Sequence, residues 1–70
     1  MNSVLILTPA GQQRAENTHG KGADYAVLSY MYEIGGPVEF VELVDHLKTD
    51  EVKASMIVHR LINEGSVKET

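Results

Sequence analysis

Three histidines, His19, His46 and His59, are the side chains best suited to metal or acid–base chemistry. None is four positions from another, the spacing that places two ligands on one helical face, and the chain contains no cysteine. The segment Gly20-Lys21-Gly22 lacks the spacing of a phosphate-binding loop, and neither a nucleophile elbow nor a paired-carboxylate motif occurs. The sequence therefore predicts a protein that is not an enzyme and that uses no metal or cofactor.

A second candidate site is the outward face of the last predicted helix, over residues 51–64. The buried stripe of this helix includes Ala54, Val58 and Leu61. At about 100° per residue, the opposite side carries the following residues: Val52, Met56, His59, Arg60 and Asn63, flanked by Lys53 and Ser55. Cationic, amide and hydroxyl side chains of this kind suit contacts to phosphate and base edges. An equally good interpretation is that these residues form the solvated face of a surface helix and bind nothing.

Four helices and two strands are predicted around that face. Residues 3–8 form a short apolar run typical of a strand, and residues 66–69 alternate as a second strand. Thr8 and Pro9 predict the start of a weak helix over 9–17, because Gly11 lies inside it. The remaining helices are predicted over 24–34, 39–48 and 51–64, each with its own boundary signals.

Capping residues define the boundaries of helices 24–34 and 51–64. Asp24 is the expected cap of helix 24–34, which ends at Gly35-Gly36 before Pro37. Thr49-Asp50 forms the turn that caps helix 51–64, and Gly65 ends it. A short extended connection, 36–38, leads into helix 39–48.

Helix 24–34 is apolar on more than one face. It is therefore expected either at the centre of the fold or against a second subunit. Its tyrosines Tyr25 and Tyr32, together with Val52 and Met56 of the last helix, are the candidate protein-interface residues. Methionine is common on adaptable protein-binding surfaces, whereas tyrosines more often pack in a small core.

The segment from Arg60 to Lys68 contains the pattern R-L-x-x-x-G-x-V after two amphipathic helices. This arrangement resembles the winged helix-turn-helix DNA-binding domains of prokaryotic transcription regulators. The segment Leu7-Thr8-Pro9-Ala10-Gly11 also resembles the L-T-P-x-G motif that MarR and PadR regulators carry after the wing, although here it stands near the N-terminus.

The resemblance implies a mainly α fold with a small β-sheet in one domain, 1–70. A winged-helix-like three-helix core, 24–65, is expected with an additional N-terminal strand and short helix. Only one strand is predicted after helix 51–64, the third helix of this core. Strand 4–8 is therefore expected to pair antiparallel with 66–69 and form a two-stranded sheet.

The resemblance further implies that the last helix lies in the DNA major groove. The candidate DNA-binding residues are Lys53, Ser55, Met56, His59, Arg60 and Asn63. Double-stranded DNA is then the expected partner, bound by a homodimer. The apolar run 4–7 is too short to span a bilayer and no basic segment precedes it, so the cytoplasm is expected, with no membrane contact.

Net charge opposes this interpretation. Six basic residues stand against ten acidic ones, giving a formal charge of −4, whereas nucleic-acid binders usually carry a basic patch. Asp50 and Glu51 lie at the helix end expected to approach phosphate. A protein-interaction or assembly module that binds no nucleic acid, or a subunit that folds stably only within a larger complex, therefore remains an alternative.

Overall fold

A computed structural model describes residues 3–17, 20 and 22–70. Thr18, His19 and Lys21 lie outside the described residues, so the expectations that Gly20-Lys21-Gly22 is not a phosphate-binding loop and that His19 binds no metal are untested. Within the described ranges the elements are, in order, β1 (Val4–Leu7), α1 (Pro9–Asn17), α2 (Ala23–Ile34), β2 (Val38–Glu39), α3 (Phe40–Leu47), α4 (Glu51–Asn63) and β3 (Val67–Glu69). The predicted mainly helical class with a small sheet is confirmed.

Strand β1 occupies the middle of the sheet. It pairs antiparallel with β3, with Leu7 opposite Val67, which confirms the predicted pairing of the first and last strands. It also pairs antiparallel with β2, with Leu5 opposite Val38, so the described strands have the order β2-β1-β3. The predicted two-stranded sheet was therefore wrong. A strand as short as β2 has no periodicity that distinguishes it from an extended connection.

The turn after α4 aligns β3 with β1. Gly65 adopts a left-handed φ of 81°, and its N–H donates to the Ile62 carbonyl at 3.0 Å while the Ser66 N–H donates to Leu61 at 3.0 Å. These are the two hydrogen bonds of a Schellman motif, and they confirm Gly65 as the helix-ending residue. The Ser66 carbonyl then accepts from the Thr8 N–H at 3.1 Å.

Helix α1 packs against this turn through a glycine. Thr8 Oγ1 caps the helix by accepting from the Gly11 N–H at 3.0 Å, and it donates to the Gly65 carbonyl at 2.5 Å. Gly11 is buried, and a Cβ at this position would lie 1.9 Å from the Ser66 carbonyl oxygen. The residue that makes α1 a weak helix in the sequence is therefore what allows α1 to approach Ser66 closely.

Helix α2 is central to the fold. It contacts α1, α3, α4 and β1, and it buries Val27, Leu28 and Met31. The apolar core also contains residues from every other described element except α1, namely Leu5, Val38, Phe40, Leu43, Ala54, Val58, Leu61 and Val67. Most of the apolar surface of α2 is thus covered within the chain, leaving Tyr32 and Ile34 as its exposed large hydrophobic residues in the described structure.

The start of α2 differs from the prediction. Gly22, not Asp24, occupies the N-cap position, and among the described residues no side chain caps this end. Asp24 lies in the first turn and accepts a hydrogen bond from Arg60 at 2.7 Å instead. The C-terminal boundary is confirmed, because Gly35 has a left-handed φ of 75° and its N–H donates to the Met31 carbonyl at 3.0 Å.

Candidate nucleic-acid and protein interface on helix α4

Helix α4 is fixed at both ends and along one side. Asp50 accepts a hydrogen bond from the Lys53 N–H at 2.8 Å, which confirms it as the N-cap. The fully buried side chains of Ala54, Val58 and Leu61 hold the helix against the core, and Gly65 ends it. Because these contacts fix the rotation of the helix about its axis, the opposite face is presented to solvent in one orientation.

The structure places all six candidate DNA-binding residues on α4. Five of them are exposed, and Ser55 is half-buried. They share one side of the helix because, at about 100° per residue, all six fall within an arc of about 160° around its axis. The exposed members are Lys53, Met56, His59, Arg60 and Asn63. The structure therefore agrees with the helical rotation used to select them, whereas their DNA contacts stay a prediction.

The apolar part of this face is formed by Val52 and Met56. They are 71% and 68% exposed, the highest values among the large hydrophobic residues of the described chain. With Glu51 and Ser55 they line a shallow depression of about 310 Å³. Two neighbouring apolar side chains this exposed suit an apolar surface such as a thymine methyl group or a protein partner.

Arg60 has a partner that the sequence did not reveal. Its guanidinium donates to the Asp24 carboxylate at 2.7 Å, with 57% of the Arg60 side chain and 30% of the Asp24 side chain exposed. No local pattern indicates this pair, because the residues lie 36 positions apart on different helices. Asp24 therefore offsets part of the positive charge that Arg60 would offer to a phosphate.

Carboxylates also flank the first turn of α4. Asp50 and Glu51 are both exposed, and acids at a helix N-terminus stabilise the helix through its macrodipole. At the same position they repel a phosphate backbone. The electrostatic character of this face is thus mixed, with Lys53 next to two acids at the N-terminal end and Arg60 beside Asp24 farther along.

The candidate interface tyrosines lie on α2, not on α4. Tyr25 is half-buried, and Tyr32 is 42% exposed. The Tyr32 hydroxyl donates to the Glu16 carboxylate at 2.8 Å, joining α2 to α1. This hydrogen bond, then partial burial and the Glu16 charge, raise the pKa of Tyr32 above its usual 10.0. Tyr32 lines a different depression from that of Val52 and Met56.

The described histidines occupy unrelated positions. His46 stacks on Tyr30, with ring centroids 4.3 Å apart, and the Tyr30 hydroxyl donates to Glu42 at 3.3 Å. Burial first, then the Glu42 charge and hydrogen bond, raise the pKa of Tyr30. His59 is exposed on α4. Within residues 3–17, 20 and 22–70, no three potential metal ligands cluster.

Comparison of this chain with known protein families, with curated proteins and with solved structures finds no match. None of the helices in the described part of the chain is long and apolar enough to cross a membrane.

Proposed function

We propose that this chain is a DNA-binding module of the kind found in prokaryotic transcription regulators, with α4 as its recognition helix. Its role is binding and not catalysis, and its site of action is the cytoplasm, where a prokaryotic chromosome lies. The observation that carries the proposal is the exposed row Lys53, Arg60 and Asn63 on a helix whose opposite side is anchored in the core.

The topology supports the likeness to winged-helix domains. Two helices, α3 and α4, follow each other through a short turn in which Lys48 takes a left-handed φ of 52°. The strand after α4 pairs with β1. In the regulators, the second wing strand follows the recognition helix and the first wing strand along the chain. In this proposal β1 takes the place of that second wing strand.

Each outward residue has a defined role in the proposed complex. Lys53 and Arg60 contact phosphate or guanine, and Asn63 contacts adenine. Ser55 donates to phosphate or a base edge, Met56 packs on a thymine methyl group, and His59 lies against the backbone beside them. Only two of these side chains are cations at all times, Lys53 and Arg60.

The low number of cations sets the expected strength of binding. Two phosphate contacts per protomer give a slope of about −2 for the logarithm of the binding constant against the logarithm of salt concentration. A homodimer doubles the contacts and the slope. With a formal net charge of −4, the protein is expected to bind non-specific DNA weakly and to depend on base contacts for affinity.

An amide-shift NMR titration with a mixed-sequence DNA duplex at low salt tests the proposal, because phosphate attraction is then least screened. Shifts concentrated on residues 50–63 and reversed by added salt are expected. Lys53→Ala and Arg60→Ala should each weaken binding severalfold and reduce the salt slope by about 1. Lys68→Ala, which removes an exposed lysine from β3, is the matched control and should change binding least.

A spectrum that excess duplex leaves unchanged would contradict the proposal. The same is true of shifts spread over the whole surface with equal effects of Lys53→Ala and Lys68→Ala, since that pattern describes non-specific attraction without a recognition helix.

The exposure of Val52 and Met56 favours a second candidate function, a protein-interaction module acting through homodimerisation. Apolar side chains 71% and 68% exposed gain free energy when a second copy covers them. Sedimentation equilibrium should then show a dimer that Met56→Glu dissociates. Ile34→Glu, which alters an exposed hydrophobic residue on α2, should leave the dimer intact; the reverse pattern would place the dimer contact on α2.

A further inference from the structure

A second cleft shares no lining residue with the α4 face. It has a volume of about 320 Å³ and lies between β1, α1 and the C-terminal end of α2. Its described lining is Ile6, Leu7, Gln12, Glu16, Met31, Tyr32, Gly35 and Gly36. A concave site of about this size is at the lower end of the range that takes small ligands.

The cleft combines an apolar floor with a polar rim. The half-buried Ile6 and Leu7 supply the accessible apolar surface, and the floor also includes Met31, which is 1% exposed. Gln12, Glu16 and Tyr32 supply the polar groups, and the Tyr32 hydroxyl donates to Glu16 at 2.8 Å. An apolar wall with a few convergent polar groups is the usual composition of a small-molecule site.

The charge of the cleft is negative. The carboxylate of Glu16 lies on its rim, and the described lining contains no lysine, arginine or histidine. Helix α2 ends here, at Gly35, and its last turn carries no basic residue. The partial negative charge of its carbonyl end is therefore not offset within that turn. Both contributions favour a positively charged ligand.

We propose that this cleft binds a small organic cation, an ammonium or guanidinium group on a short apolar or aromatic stem. The cationic head contacts the Glu16 carboxylate and the C-terminal end of α2. The stem packs on Ile6 and Leu7. The exposed ring of Tyr32 adds a face for a cation–π contact.

Three aromatic probes of similar size test the charge requirement: benzylammonium, benzyl alcohol and benzoate, titrated into the full chain and followed by amide NMR shifts. Benzylammonium is expected to move the amides of Gln12, Tyr32, Gly35 and Gly36 with a Kd on the order of 1 mM. Benzyl alcohol should bind at least about tenfold more weakly, and benzoate should leave these amides unmoved. Equal binding of the cation and the alcohol would overturn the proposal.

Glu16→Gln locates the attraction. This substitution removes the charge and keeps an acceptor for the Tyr32 hydroxyl, so benzylammonium affinity should fall about tenfold. Glu33→Gln is the matched control, since Glu33 is an exposed acid of α2 outside the described lining. A similar loss in both variants, or none in Glu16→Gln, would overturn the assignment. Unchanged amide dispersion shows that each variant folds. Because no α4 residue lines the cleft, these results are independent of whether α4 binds DNA.

Discussion

The regions next to the two ends of helix α4 differ in how many of their groups form contacts within the fold. At the C-terminal end lies the β1–β3 junction, defined as Thr8, Gly11, Gly65 and Ser66, where the polar groups that the two chain ends bring together are hydrogen-bonded. Near the N-terminal end, Val52 and Met56 have most of their surface in solvent. Substitutions at the junction are therefore expected to reduce stability, and those on the α4 face to change binding alone.

Gly11→Ala is expected to have the largest effect. In an ordinary helix interior this change stabilises by up to about 1 kcal/mol. Here the new Cβ would lie 1.9 Å from the backbone oxygen of Ser66, so α1 must move away from the junction. We expect a loss of about 3 kcal/mol or more in the free energy of unfolding, measured by urea denaturation. In a 70-residue chain this loss approaches the whole stability.

Gly36→Ala is the matched control for Gly11→Ala. No atom of the described residues lies within 4 Å of a Cβ at Gly36, and the φ of Gly36 is not positive. The free energy of unfolding of the Gly36→Ala variant should change by less than about 1 kcal/mol. If both variants unfold at the same urea concentration, the close approach of α1 to Ser66 does not limit stability.

Thr8→Val tests the hydrogen bonds of the junction without changing its shape. Valine keeps the volume of threonine but loses the acceptor for the Gly11 N–H and the donor to the Gly65 carbonyl. A reduction of about 1–2 kcal/mol in the free energy of unfolding is expected. Thr8→Ser retains both hydrogen bonds and should lose less than half as much; equal losses would assign the effect to packing.

Asp24→Asn, on α2, tests how the ion pair with Arg60 affects DNA binding and stability separately. The Arg60–Asp24 ion pair is partly exposed, so its loss should reduce stability by at most about 1 kcal/mol. The same change frees the Arg60 charge for phosphate and should raise DNA affinity about three- to tenfold at low salt. In the background of Arg60→Ala the gain should disappear. A gain that persists there would mean that Asp24 repels DNA directly.

The double variant Val52→Ser, Met56→Ser should be nearly neutral for folding. Both side chains are mostly exposed, and such substitutions usually change stability by less than about 0.5 kcal/mol. If the face binds DNA or a second copy, the same variant weakens that binding. A large loss of stability would instead show that these residues support the fold. That result would contradict the expectation that substitutions on the α4 face change binding alone.

The elements could be predicted from the sequence because local signals define them. Thr8-Pro9, Gly35, Asp50 and Gly65 each fix a helix boundary through the backbone groups next to them. The pairing of β1 with β3 followed from the expected pattern of a wing. Strand β2 did not, because two residues give no period.

The contacts between distant residues could not be predicted. The Asp24–Arg60 pair and the Gly11–Ser66 approach each join positions far apart in the chain, and a single sequence contains no signal for such pairs. The outward face of α4 was predictable because it depends only on helical rotation. The cleft beside Glu16 was not, because three separate elements enclose it.

The smallest expected effect is the ionisation of Tyr32. Its hydrogen bond to Glu16, with partial burial and the Glu16 charge, raises its pKa above 10.0. A raised pKa in the folded state means that this contact stabilises the protein below pH 10.0 and that the contribution is lost as pH rises through the folded-state pKa. An NMR titration of the ring carbons should show Tyr32 ionising above pH 10.0. Glu16→Gln should bring it closer to 10.0, whereas Glu42→Gln should instead lower the raised pKa of Tyr30. A Tyr32 that ionises at or below 10.0 would mean that the Glu16 contact is not maintained in solution, and the rim of the cleft would then lose the carboxylate orientation on which cation binding depends.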